Sequence, residues 1–164
     1  VLHHMENPFE GWKVLNNILK PKGLMLIGLY SETARSDIKF AREIISKNNY
    51  NSNDTDIRNF RSYILSNNYK DEFNKIKKSY DFYSLSSCRD LLFHVKEHRF
   101  NINQITSILK KLELNFLGFQ HDNVLIPNHF KRMYENNNLQ NWGTYEESYP
   151  HTFSKMYQFW VQKN

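Results

Sequence analysis

Seven apolar residues in a row, Leu24-Met25-Leu26-Ile27-Gly28-Leu29-Tyr30, constrain this chain more than any other feature. The run has no polar alternation. As a strand it carries apolar side chains on both faces, which is the pattern of a parallel sheet covered by helices on either side. Leu19-Lys20-Pro21-Lys22-Gly23 stands directly before it and reads as a tight turn. Upstream, Asn7-Pro8 favours a turn, with Pro8 suited to the first helical position. Trp12, Leu15 and Ile18-Leu19 then recur at helical spacing until Pro21 and Gly23 stop the helix. The opening is therefore a strand end at residues 1–2, a helix, a turn and a buried strand, half of a parallel αβ unit.

The pattern then turns helical. Ala34, Ile38, Ala41 and Ile45 form one stripe. After the polar loop 48–53, Asp54 or Thr55 can cap a helix with Ile57, Phe60 and Ile64 inward. Tyr69, Phe73, Ile76 and Tyr80 mark a further helix, and Ser86 or Ser87 can cap a shorter one holding Leu91 and Leu92. Asn101 or Asn103 opens another, with Ile102, Ile105, Leu109 and Leu112 on one stripe. A short strand is expected over 114–120, a helix over 128–136, loop over 137–150, and a last strand over 156–161. These elements imply an α/β domain with sheet parts at 1–45 and 101–164 and a helical cap inserted at 46–100. Strands 24–30 and 114–120 should lie side by side or as near neighbours in one sheet.

A chain of 164 residues is long enough for one domain with a real core. With 12 Phe, 10 Tyr and 3 Trp, that core should be aromatic-rich. The net charge of +5 is mild and identifies no partner, and no base-reading motif supports nucleic acid. The single cysteine, Cys88, cannot form a disulfide within the chain, which fits a cytoplasmic setting. No apolar run approaches the ~20 residues that span a bilayer, and the opening residues lack a signal-peptide pattern. Asn53-Asp54-Thr55 matches a glycosylation sequon, a chance match in a cytoplasmic protein.

Val1-Leu2-His3-His4-Met5-x-x-Pro8, a helix, then Leu19-Lys20-Pro21-Lys22-Gly23 and a buried strand resembles the second half of class I S-adenosylmethionine-dependent methyltransferases. Gly28-Leu29-Tyr30-Ser31-x-x-Ala34-Arg35, Asp90-Leu91-Leu92-Phe93-His94 and the closing Met156-Tyr157-Gln158-Phe159-Trp160 look like a bacterial subgroup of that family. The resemblance covers nearly the whole chain. It implies a Rossmann-like sheet, S-adenosylmethionine as cofactor, and methyl transfer to a small-molecule or macromolecular acceptor. One expected part is missing. The family carries a Gly-rich turn after its first strand and an acidic residue at the end of its second, by the logic of nucleotide-binding sheets. The glycines here (11, 23, 28, 118 and 143) include no Gly-x-Gly. Since one βαβ unit takes about 30 residues, the resemblance implies a C-terminal fragment, inactive alone, lacking about 80–100 upstream residues. A strand at residues 1–2 would then have lost its inner neighbour and present an open edge.

Open αβ sheets bind ligands beyond the carboxyl ends of their strands. Leu2, His3 and His4 follow the first strand end and become candidates for the cofactor side. His4 can also orient the acceptor or act as a base near neutral pH, or both histidines can pack locally. His-His-x-Glu has no third ligand at useful spacing, so no metal is expected. Tyr30 ends the apolar strand at the rim and is a candidate for binding substrate. Arg35 can hold an anionic acceptor by a forked contact or pair locally with Glu32. Arg58 and Arg61, three apart on one helix, share a side and can clasp an anion or be solvated. Arg89 joins them as a substrate candidate. Asp90 and His94, at i and i+4, can couple for proton removal, or Asp90 can cap and His94 pack. Cys88 has no partner pattern for a nucleophile.

A reading of another class is a non-catalytic binding or scaffold module contacting RNA or a partner protein through the basic surface and aromatic tail. It predicts binding with a steep salt dependence.

Overall fold

The computed structural model describes residues 1–67, 71–94, 96–120, 138–154 and 156–164. The helix expected at 128–136, and Tyr69 of the helix expected with Phe73 and Ile76, lie outside them. The chain divides into two compact units, one of residues 1–34 with 96–164 and the other of 35–95.

The first unit is a four-stranded sheet with helices. A 3-10 turn over Leu2–His4 precedes α1 (Pro8–Ile18) and β1 (Leu24–Ser31). After the helical unit come β2 (Arg99–Phe100), α6 (Ile102–Lys111), β3 (Leu114–Phe119), α7 (Leu139–Ser148) and β4 (Tyr157–Lys163). The strand order is β2-β1-β4-β3. β1 runs antiparallel to β4 over Leu24–Leu29 and parallel to β2 only at Tyr30 and Ser31. β3 pairs antiparallel with β4, with a bulge between Phe116 and Gly118. β1 and β3 are thus near neighbours, separated by β4. The mixed α/β fold is the one the sequence implied.

Local chemistry explains the boundaries. Asn7 Oδ1 accepts from the Phe9 and Glu10 amides at 3.2 and 3.3 Å, and Pro8 follows at the first helical position. At the far end of α1, Lys163 Nζ donates to the Asn16 and Leu19 carbonyls at 2.7 and 2.9 Å, a cation at the negative end of the helix. Asn101 and Gln104 form a reciprocal capping box on α6. The core joins Trp12, Ile27, Leu29, Ile105, Trp142, Tyr157 and Phe159, so its aromatic character follows from the composition.

Four expectations for this unit are corrected. Residues 1–2 are not a strand end: Leu2–His4 form the 3-10 turn, and the edge of β1 from Leu24 to Leu29 is the one without a strand partner among the described residues. β1 is not covered on both faces, because pairing with β4 sets Ile27 and Leu29 inward while Leu24 and Leu26 are 54% and 43% exposed. α1 faces the core with Gly11, Trp12 and Asn16, leaving Leu15 and Ile18 exposed, since Trp12 packs near Phe159 and Asn16 Nδ2 donates to the Leu112 carbonyl at 2.9 Å. Residues 139–148 are a helix rather than loop, capped by Asn138 and holding Leu139, Trp142 and Tyr145 inward.

The second unit is helical: α2 (Ser36–Lys47), α3 (Asp54–Ser66), α4 (Asp71–Lys78), a 3-10 turn (Tyr80–Phe82) and α5 (Leu85–Leu92). Its core is Ile38, Ala41, Ile57, Phe60, Ile64, Phe73, Ile76, Phe82 and Leu92, each Ile or Phe contributing about 1.5–3 kcal/mol by leaving water. α2 belongs to this unit because Ile38, Ala41 and Ile45 pack in that cluster. The caps are Asn53 for α3, one or two residues before the expected positions, and Ser84 for α5, two or three before. Tyr80, expected inward, is 95% exposed because α4 ends at Lys78.

Candidate functional site

The carboxyl end of β1 is where polar chemistry gathers in the sheet unit. Successive strand residues point to opposite faces, so Tyr30, Ser31 and Glu32 each reach a different neighbour.

Tyr30 meets the histidines. Its ring centroid lies 4.2 Å from that of His3 and 6.1 Å from that of His4, and the two imidazoles are 4.3 Å apart. His3 is buried, with Nδ1 3.3 Å from the Gly28 carbonyl oxygen. Burial above all, with His4 beside it, lowers its pKa to about 4, so it is neutral at neutral pH. His4 is half-buried, with Nδ1 2.9 Å from the Lys96 carbonyl oxygen. A carbonyl only accepts, so this contact puts the proton on Nδ1 and makes Nε2 the basic nitrogen of the neutral ring. The backbone amide of His98 donates to the His3 carbonyl at 2.7 Å, which ties the 3-10 turn to the chain entering β2.

Glu32 faces Arg99, whose Nε donates to Oε2 at 2.9 Å. Arg99 also lies 3.7 Å from the carboxylate of Glu97, whose side chain is almost wholly buried. Ser31 points inward. Its Oγ donates to Glu146 at 2.5 Å and accepts from the Ala34 amide at 2.9 Å. Tyr157 Oη donates to the other Glu146 oxygen. Sequence reasoning missed Glu146 because Gly143 and the surrounding asparagines read as loop. The step of three from Leu139 to Trp142 to Tyr145 was the available helical signal. Glu97 and Arg99 were missed because residues 95–100 carry no strand run longer than two residues.

The other candidates separate. Leu2 is buried in the hydrophobic core and offers no surface to a ligand. Arg35 is buried at the head of α2 in the helical unit. On α3, Arg58 is exposed, while Arg61 lies over the Phe82 ring at 5.6 Å with its Nε buried and unbonded, so the two do not share a solvent face. Arg89 binds Asp54 at 2.5 Å and the Ser52 carbonyl at 2.9 Å, tying α5 to the start of α3. The Asp90–His94 pair loses its basis: α5 ends at Leu92, so His94 falls beyond the helix on which the i, i+4 spacing was to act, and Asp90 is exposed. Burial pushes the Cys88 thiol up to about 11, so it is no nucleophile at neutral pH. The structure therefore brings together His3, His4 and Tyr30.

No helix among the described residues is long and apolar enough to cross a membrane. No family model matches the chain, and no curated protein matches it. Solved structures do. The chain superposes on PKMT2 from Rickettsia typhi with a TM-score of 0.72 at 15% identity, over 98% of this chain and 33% of that one. It superposes on the same protein in complex with AdoHcy with a TM-score of 0.69 at 16% identity and the same coverage. The fold is therefore that of part of PKMT2, and the chain spans about a third of the length of the solved chains it matches.

Proposed function

We propose that residues 1–164 form the acceptor-side part of an S-adenosylmethionine-dependent methyltransferase, with most cofactor contacts made outside these residues. The observation that carries this reading is the His3-His4-Tyr30 cluster at the carboxyl rim of β1, in a fold shared with a protein solved with AdoHcy. The residues present fit one wall of such a site. They do not supply a glycine-rich cradle, since no Gly-x-Gly occurs in the chain. The 164 residues alone should accordingly be inactive.

When bound, the cofactor supplies a methyl group on a positively charged sulfur. The chain's own residues suit that charge. His3 is neutral, so it adds no repulsion, and the faces of Tyr30 and the imidazoles attract a cation. His4 is the residue proposed to take a proton from an acceptor N–H or O–H, its ring oriented by the Nδ1 contact with the Lys96 carbonyl. Arg58, exposed on α3, is the cation best able to attract an anionic acceptor.

The test is calorimetry with AdoHcy. The intact protein should bind and residues 1–164 alone should not. Binding by the 164 residues alone would overturn the division of the site, and no binding by either would remove the methyl-transfer reading.

A further inference from the structure

Glu146 is an unusual group for a protein interior. It is 3% exposed, and among the described residues no cation pairs with it. Burial raises its pKa and also that of Tyr157, whose hydroxyl therefore stays protonated and able to donate. Two O–H groups hold the carboxylate, one from Ser31 at the end of β1 and one from Tyr157 at the start of β4. Hydrogen bonds to an ionised oxygen are about twice as strong as neutral ones, and a buried carboxylate left without them is costly.

The consequence reaches the opposite face of the strand. Ser31 Oγ has its proton committed to Glu146 and a lone pair committed to the Ala34 amide, so its rotamer and the turn at 31–34 are fixed together. Tyr30 precedes it on the opposite face of the strand, and Glu32 follows it in the turn. Tyr30 stands against His3, while Glu32 binds Arg99 through its side chain and the Phe100 carbonyl through its amide at 2.9 Å. The strand end is thereby clamped from both faces.

We infer that Glu146 is a positioning residue: through Ser31 it sets the angle at which Tyr30 meets the His3-His4 pair. It touches no ligand itself. A glutamine is the same size but brings an amide donor to a place where two hydroxyls already donate, so one hydroxyl must give up its donation and accept from the amide instead. Given the link through Ser31, the strand end should rotate when that contact is lost.

This deepens the reading of the rim as a methyl-transfer wall, but its test measures no methyl transfer. The probe is NMR of the 164-residue chain with labelled histidine and tyrosine, reading ring shifts and the Tyr30–His3 ring contact. In Glu146→Gln the contact should weaken and both ring signals should move, while signals from residues 35–95 stay in place. Ser31→Ala removes the link yet leaves Tyr157 on the carboxylate, and it gives the same result if Glu146→Gln does not fold. Leu109→Ala, a core truncation in the same unit, is the control and should leave the rim signals unmoved. Rim signals that coincide with the wild type in Glu146→Gln or Ser31→Ala would overturn the inference. So would an equal response in Leu109→Ala, because it marks general softening. If the 164-residue chain shows the shift while the intact protein binds no AdoHcy, the Glu146 link stands and the proposed function falls.

Discussion

The two units solve the burial problem differently. The helical unit, 35–95, builds its core from neighbours in sequence, with Ile57, Phe60 and Ile64 on one helix stripe and Phe73 and Ile76 on the next. The sheet unit, 1–34 with 96–164, builds its core from partners far apart in sequence, as in Ile27 against Phe159 and Asn16 against Leu112. It also buries polar groups inside that core: His3, Asn16, Ser31 and Glu146. Buried polar groups are costly unless bonded, and where they gather they constrain geometry. Among the described residues the helical unit buries one charged group, Arg35, and the larger polar cluster lies in the sheet unit.

That contrast can be broken by mutation. The largest effect is expected in the helical core. Phe60→Ala should destabilise by about 3–5 kcal/mol in denaturant melts, because a fully buried ring leaves a cavity. A loss below about 1 kcal/mol would show that this core is loosely packed. In the sheet unit a single oxygen atom should matter. Tyr157→Phe, which removes only the hydroxyl on Glu146, should lose about 1–3 kcal/mol in the same melts. An unchanged midpoint would mean that the carboxylate is satisfied without it.

The next effect is smaller and depends on pH. His3 has a folded pKa of about 4 against 6.5 for the free side chain. The unfolded chain takes up its proton first. Stability from this group is therefore complete above about 6.5 and declines as pH falls toward 4, by an amount on the order of 1 kcal/mol after allowing for solvent screening. His3→Asn should flatten that part of the stability curve, and a curve that keeps its slope would place the titration elsewhere. The smallest effect belongs to the surface. Arg89→Ala removes a half-exposed ion pair with Asp54 and should cost less than about 1 kcal/mol.

The same contrast governs how much was legible in the sequence. Helical periodicity is local, so the stripes at Ile38–Ala41–Ile45, Ile57–Phe60–Ile64 and Ile102–Ile105–Leu109 were all readable, and the caps expected for the last two fell within two residues. Which face of β1 is covered was not readable, because it depends on β4, more than 120 residues away in the chain. α1 shows the same limit. Its apolar stripe favoured Leu15 and Ile18, but a buried hydrogen bond from Asn16 to Leu112 turns the helix the other way. The sequence singled out His3, His4 and Tyr30 as following strand ends; the structure puts their rings together, but His3 and His4 stand in a 3-10 turn. Glu146 was hidden because an acidic residue beside a glycine and several asparagines looks like exposed loop until its two hydroxyl partners are known. The Asp90–His94 reading failed because a helix boundary, the least readable feature of a sequence, falls between the two residues.

The most direct measurement is photolabelling of the intact protein with radiolabelled S-adenosylmethionine, followed by peptide mapping. A wall built from His3, His4 and Tyr30 predicts label in the peptides carrying residues 1–4 or 28–35. Strong labelling confined to peptides outside these segments would contradict it.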